Sequence, residues 1–278
     1  MSDLTPAALP AIAFIGGGNM ASAILGGLLR QGLPTASVEV VEPFEEARAR
    51  LARDFGITPQ PGASAALGRC QVVVWAVKPQ TFADAARPVR AFTPGALHLS
   101  VAAGIPSESI AGWLGTDNVV RAMPNTPALV GQGMSGLFAR PAVSVDGRRL
   151  VEQVLAPTGQ LLWVDTESAL DAVTAVSGSG PAYVFYFIEA MTEAGIEMGL
   201  PPAQAQQLAI GTFTGASALA QASTEPPSVL RERVTSKGGT TYAALSAMEA
   251  AGVKAQFKTA IRAAEQRARE LAAEFGRA

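Results

Sequence analysis

The hydrophobic positions fall into two regimes that meet near residue 165. In the first, short apolar runs recur at 11–15 (AIAFI), 38–41 (VEVV), 72–77 (VVVWAV), 97–101 (LHLSV), 119–123 (VVRAM), 135–139 (SGLFA) and 161–164 (LLWV). Several are continuous rather than alternating, the pattern of strands covered on both faces. Helical stretches intervene at 19–31, 44–54 and 79–91. This alternation predicts an α/β domain with a Rossmann-type, doubly wound parallel sheet over residues 1–165. From 166 to 278 no convincing strand follows, and an all-helical domain is expected. Residues 168–200 read as one long helix interrupted at Gly178 to Pro181, because proline removes a backbone donor. Residues 201–223 read as a second helix opened by prolines, which a first turn tolerates. The last helix sets Phe257, Ile261, Ala264, Ala268, Leu271 and Phe275 on one stripe.

Composition narrows the function classes. Of 278 residues, 49% are hydrophobic and 16% charged, with a formal net charge of −2. A nucleic-acid binder would carry a clustered basic excess, so none is expected as partner. The one cysteine, Cys70, and the one histidine, His98, exclude a disulfide framework and a Cys/His metal site. Both lie in or beside apolar runs, and both read as structural. The opening MSDLTPAALP has no basic region followed by an apolar core, and no apolar run is long enough to span a bilayer. The expectation is a cytoplasmic protein.

The first candidate site is AIAFIGGGNMASAIL, a strand, a glycine turn and a helix. Gly16, Gly18 and Ala21 fit G-x-G-x-x-A: a tight turn, a close backbone approach to a pyrophosphate, and a helix packed on the sheet. The second strand ends in VEVVEPFEEARAR. Glu42 falls somewhat beyond the usual ~20-residue spacing of the acidic residue that meets the adenosine ribose. A carboxylate there favours NADH, whereas Arg48 and Arg50 could reach a 2′-phosphate if Glu42 turns away. The cofactor form stays open. Two more strand ends deliver Val77, Lys78 and Pro79, and then Pro124, Asn125, Thr126 and Pro127, to the edge where open α/β sheets bind ligands. Asn125 could hydrogen-bond the ribose or the nicotinamide amide; an ordinary capped turn is the competing reading.

The second candidate site is TSKGGTT, residues 235–241. Glycines between hydroxyl residues before a helix can turn several N–H groups towards one anion. A simple helix cap is as good a reading of that stretch alone. A further glycine/serine turn, SGSGP at 177–181, breaks the apolar helix and implies a close approach to substrate, cofactor or a packed helix. No histidine or Asp/His pair falls in any motif. A ketone reductase normally wants a proton donor for the developing alkoxide, whereas an imine can be protonated before hydride arrives. The chemistry therefore leans towards a carboxylate-bearing imine.

FIGGGNM, WAVKPQ, RAMPNTPALVGQG, SGSGPAYVFYFIEAMTEAGIEMGL and PSVLRERVTSKGGTTYAALSAMEAAG together resemble the pyrroline-5-carboxylate reductase family over almost the whole chain. The resemblance implies reduction of 1-pyrroline-5-carboxylate to L-proline by NAD(P)H. It implies that Gly16, Gly17, Gly18, Asn19 and Met20 hold the pyrophosphate and that Val77, Lys78, Pro79 and Asn125 line the nicotinamide. It implies that Ser236, Gly238, Gly239, Thr240 and Thr241 hold the substrate carboxylate, with Thr241 also at the ring nitrogen. It further implies a helical dimerisation domain, with dimers often assembled into decamers. Two departures stand out: Lys237 replaces a proline common in the family, and Glu42 runs against the family's usual NADPH. Rival readings are a hydroxyacid dehydrogenase, opposed by the absence of Lys and Arg from 168–199, and a non-catalytic dinucleotide-binding regulator, opposed by the intact 235–241 stretch.

Overall fold

The structure, a computed structural model, describes residues 9–276. The opening residues 1–8, part of the stretch read for a secretion leader, lie outside it. Among the described residues, the strands are β1 (Ile12–Ile15), β2 (Val38–Val41), β3 (Val72–Trp75), β4 (Leu97–Ser100), β5 (Val119–Met123), β6 (Gly133–Ala139) and β7 (Gly159–Trp163). They form one sheet in the order β2-β1-β3-β4-β5-β6-β7. The strands β1 to β5 run parallel. β1 and β3 are buried at every position, which is why their sequences are continuous apolar runs; β4 is equally buried, its polar His98 and Ser100 included. Alternate residues serve opposite faces: Ile12 and Phe14 join one core, Ala13 and Ile15 the other.

The sheet is not wholly parallel. β6 pairs antiparallel with β5, bringing Met123 opposite Gly136, and β7 then runs parallel to β6. The connection over residues 124–132 explains the reversal. It is stiffened by Pro124 and Pro127 and is shorter than the roughly dozen or more residues that a parallel crossover takes.

The helices on the sheet are α1 (Asn19–Arg30), α2 (Glu45–Phe55), α3 (Phe82–Val89), α4 (Ser107–Leu114) and α5 (Val145–Leu155). His98 is buried and accepts a 3.0 Å hydrogen bond at Nδ1 from Trp75 Nε1. Burial pushes its imidazole down to about 4, so it stays neutral and structural. Burial likewise pushes the Cys70 thiol up to about 11, leaving it inert.

Past β7 come the short helix α6 (Ala169–Val173), a π-helical turn over Thr174–Gly178, α7 (Gly180–Glu197), α8 (Pro202–Ala222), α9 (Pro227–Arg233), α10 (Thr240–Ala250) and α11 (Val253–Phe275). The expected long helix is thus broken by the π turn, with Pro181 in the first turn of α7. The chain forms two compact units: one runs to Gly178 and resumes at Ala264, and the other is Ser179–Ala263. The segment 166–178 lies with the sheet because it packs there. Leu170 and Ala175 are buried, and Val173 sits so close to Gly136 of β6 that a Cβ would fall 2.7 Å from its Cγ1.

Inside the second unit, α7 and α8 form a helical hairpin. They meet where Gly195 lies against Ala205, leaving 3.0 Å to an added Cβ. Tyr183 and Phe187 meet Phe257 edge-on at 5.7 and 5.5 Å. The stripe on α11 serves both units: Phe257 packs within the second, while Leu271 and Phe275 close over Gly104 within the first.

A charged cluster ties the far end of the first unit together. The Glu167 carboxylate accepts from Arg121 Nη1, Ser107 N–H and Ser107 Oγ, each at 2.6 Å. Burial alone would raise Glu167, but these hydrogen bonds outweigh it and hold the carboxyl below its ordinary 4.5. A carboxyl depressed on folding stabilises above its unfolded value and loses that contribution as pH falls through the native one. Glu167→Ala should therefore cost on the order of 3 kcal/mol at neutral pH, the scale of a broken buried pair. Thermal melts should show the gap to wild type narrowing below pH 4.5. A gap independent of pH would mean that the carboxylate charge contributes nothing.

Candidate active site

The glycine loop forms at the point where strand order reverses, between β1 and β3. Gly16 takes φ +91°, and a Cβ on it would lie 2.6 Å from the Ala76 carbonyl oxygen and 3.1 Å from Val77 Cγ1. Only glycine fits there without strain. The contact sets Gly16 directly beside the Ala76–Val77 end of β3, while Gly16 N–H donates to Val41 O at the end of β2. Lys78 follows, exposed, and its carbonyl accepts from Thr81 N–H as Pro79 opens a short 3-10 turn.

Gly18 caps α1 with no side-chain acceptor, and the first turn, Asn19 and Met20 included, holds no acid. Its leading N–H groups are thus left for an external anion. Nothing lies within 4 Å of a Cβ built on Gly18. This open, uncapped turn fits a pyrophosphate. Gly17 differs: its Cβ would collide with Leu51, and its N–H donates to Glu42 Oε2 at 2.8 Å. The other carboxylate oxygen of Glu42 accepts from Phe44 N–H at 2.9 Å.

Asn125 sits past the end of β5, and both ends of its side-chain amide are engaged within the fold. Its Nδ2 donates to Ser177 O and Oγ, both at 3.2 Å, and its Oδ1 accepts from Met134 N–H at 2.9 Å. Beside it, a Cβ on Gly178 would collide with Met123. The close approach expected of the SGSG turn is therefore to Met123 and Asn125, which pin the π turn to the sheet. Ser177 was missed as a partner of Asn125. A pairing fifty-two residues apart leaves no local signal, although the glycine/serine composition marked the turn.

In the second unit, Gly238 takes φ +76°, and Gly239 N–H closes the turn on Ser236 O at 3.0 Å. Gly239 caps α10, which begins at Thr240, again with no side-chain cap and no acid in the first turn. A Cβ on Gly239 would come 2.5 Å from Ser236 Oγ, so the serine hydroxyl folds over the turn. Thr241 is partly buried and Lys237 exposed. The structure thus brings Ser236, Gly238, Gly239, Thr240 and Thr241 together at one helix start. It brings Gly16, Gly17, Gly18, Asn19, Met20, Glu42 and Val77 together at one sheet edge. Among the described residues, no group of three or more His, Cys, Asp or Glu could hold a metal, and no helix is long and apolar enough to cross a membrane.

The fold and the glycine loop define a dinucleotide-dependent oxidoreductase with a separate helical unit. Residues 11–104 match the family model described as NADP oxidoreductase, coenzyme F420-dependent, and residues 167–271 match that described as pyrroline-5-carboxylate reductase dimerisation. Pyrroline-5-carboxylate reductase of Pseudomonas aeruginosa is 45% identical over 96% of this chain and 98% of its own length. That of Haemophilus influenzae is 42% identical over 94% and 97%. Among solved structures, a pyrroline-5-carboxylate reductase from Coxiella burnetii superposes with a TM-score of 0.88 at 35% identity, covering 95% of this chain and 98% of that one. The Plasmodium falciparum enzyme, solved with NADP bound, gives 0.83 at 25% identity, covering 95% and 98%. The chain belongs to the pyrroline-5-carboxylate reductase family.

Gly18→Val tests the first site. The open space around Gly18 lets the fold survive, but the new side chain stands in front of the helix N–H groups. Titration with NADPH or NADH should show binding weakened by tenfold or more, on the order of one or two lost charge-assisted hydrogen bonds. An unchanged dissociation constant would remove the loop from the cofactor site.

Proposed function

We propose that the protein reduces 1-pyrroline-5-carboxylate to L-proline with NADPH or NADH, the last step of proline biosynthesis in the cytoplasm. The observation that carries the reading is family membership along nearly the entire chain, with both candidate sites intact. A bound dihydronicotinamide supplies hydride to the imine carbon, and the ring nitrogen ends with one added proton. The uncapped start of α1 takes the pyrophosphate. Val77, Lys78 and Pro79 follow the end of β3 and border the nicotinamide side. Asn125 acts through the loop it anchors to Ser177 and Met134.

The start of α10 is the carboxylate site in this reading. Among the described residues, the hydroxyls of Ser236, Thr240 and Thr241 have no protein hydrogen-bond partner, and the helix-start N–H groups add their partial positive charge. Thr241 offers its N–H to the carboxylate and its hydroxyl to the ring nitrogen. No dedicated acid is required, because an imine can take its proton before hydride arrives. Orientation and electrostatics carry the catalysis.

Oxidation of NADPH or NADH on adding pyrroline-5-carboxylate, with proline as product, tests the reaction. Thr241→Ala keeps the N–H and loses the hydroxyl, so kcat should fall more than KM rises, by about tenfold to a thousandfold, the scale of one electrostatic donor or less. A lower melting temperature with unchanged kcat would make Thr241 a helix cap alone.

Self-association belongs to the same reading. The helical unit buries Gly195, Ala205 and Ala209 but leaves Phe185, Tyr186, Met198, Leu208 and Leu219 exposed, Tyr186 at 69% and Leu219 at 71%. Monomers rarely leave so much apolar surface in water. Light scattering at micromolar concentration should find at least a dimer, with decamers as the larger form this reading allows. An active monomer would contradict it.

A further inference from the structure

Charge is unevenly shared among the helices of the second unit. α7 places Glu189, Glu193 and Glu197 four residues apart, all exposed, and carries no basic residue. α8, packed beside it, has no charged residue at all. The opening of α11 places Lys254, Lys258 and Arg262 at the same spacing of four, also exposed, and residues 250–264 hold no acid. A helix that stabilises itself mixes the two signs at i and i+4. The later part of α11 does so: Glu265 pairs with Arg269, and Arg267 with Glu270 and Glu274. Among the described residues, none of the residues in the two rows stands in an ion pair.

The packing inside the chain leaves both rows open. α7 and α11 meet through Tyr183, Phe187 and Phe257. At 3.6 residues per turn, Glu189 and Glu193 lie about 160° and 120° round α7 from Phe187. Lys258 and Arg262 lie about 100° and 140° round α11 from Phe257. The aromatic contact thus occupies other faces of the two helices.

The rows match each other. Each spans about 12 Å along its helix, and their signs are opposite. Rows at i, i+4 and i+8 are the ridges that interlock in the commonest helix crossing, near −50°. The acidic row also runs through apolar surface: exposed Phe185 stands four residues before Glu189, and exposed Tyr186 and Ile196 lie one turn from Glu189 and Glu193. An unrelated partner would have to bring a complement to one row or the other. A second copy of this chain brings both, and a two-fold axis makes the contact twice.

We propose that in the dimer Glu189, Glu193 and Glu197 of one copy lie against Lys254, Lys258 and Arg262 of the partner subunit, and reciprocally. Glu193 meets Lys258 whichever way the two helices run. The rows fix register and partner choice, and the apolar residues beside them supply the affinity. The proposal rests on the self-association reading above and names the surfaces that make the contact.

Mixing charge-reversed chains tests it. One variant carries Glu189→Lys, Glu193→Lys and Glu197→Lys; the other carries Lys254→Glu, Lys258→Glu and Arg262→Glu. Every substituted position is exposed, so both should fold, as circular dichroism melts will show. Alone, each variant sets like charges together at both contacts. Its dimer dissociation constant, measured by analytical ultracentrifugation at low ionic strength, should rise on the order of thirtyfold, the scale of several exposed pairs reversed together. An equimolar mixture should form heterodimers at close to wild-type affinity, seen by native mass spectrometry, because both contacts then pair opposite charges. A chain with both rows reversed should dimerise with itself and not with wild type. Unchanged dissociation constants in both variants would overturn the proposal. So would weakened variants that give no heterodimer on mixing, or a doubly reversed chain that mixes freely with wild type. Failure of the self-association reading looks different: there the wild-type chain itself stays monomeric, whereas a wild-type dimer indifferent to both reversals keeps that reading and loses only the pairing of the rows.

Discussion

The close approach of Gly16 to the Ala76 carbonyl is the constraint on which the cofactor half depends. With 2.6 Å available to an added Cβ and φ at +91°, the chain can leave β1 at this angle only as glycine. That exit aims the start of α1 along the reversal point of the sheet and leaves its N–H groups uncapped. The neighbouring parts follow from the same turn. Val77 packs on Gly16, Glu42 reaches under Gly17, and Arg50 holds the Gly17 carbonyl. The open start of α1 thus arises from backbone geometry, with side chains used to fix it.

The helical half solves a similar problem with the same device. Gly238 at φ +76° and Gly239 at the cap leave α10 without a side-chain cap, and among the described residues the hydroxyls of Ser236, Thr240 and Thr241 have no protein hydrogen-bond partner. The starts of α1 and α10, one in each unit, share a glycine cap, no side-chain cap and no acid in the first turn. The helical unit buries only small residues at its α7–α8 contact and leaves large apolar side chains in water. Association with a second copy is the physical completion of such a surface, in accord with the dimerisation family it matches.

Much of this was legible from pattern. The strands lie where apolar runs predicted them because central strands of a covered sheet have no solvent face to encode. The glycine loop was legible because positive φ and close approach demand one residue type at fixed spacing. The antiparallel turn of β6 was not, because strand direction depends on the length and stiffness of residues 124–132 and leaves the apolar pattern unchanged. The π turn at Thr174–Gly178 was visible only as an interruption; what it touches, Met123 and Asn125, is set by tertiary packing. Glu42 shows the limit most sharply. Its position announced a ribose ligand, but side-chain direction is decided by Gly17 and Phe44, whose N–H groups carry no sequence signature.

The central claim is a hydride transfer to a carboxylate-bearing imine held by neutral donors. Label transfer tests it most directly. Wild-type protein given pyrroline-5-carboxylate and dihydronicotinamide cofactor dideuterated at C4 should yield proline carrying one deuterium, on the ring methylene next to nitrogen, as read by mass spectrometry and NMR. Proline without deuterium at that carbon, or cofactor oxidised with no proline formed, would contradict the account.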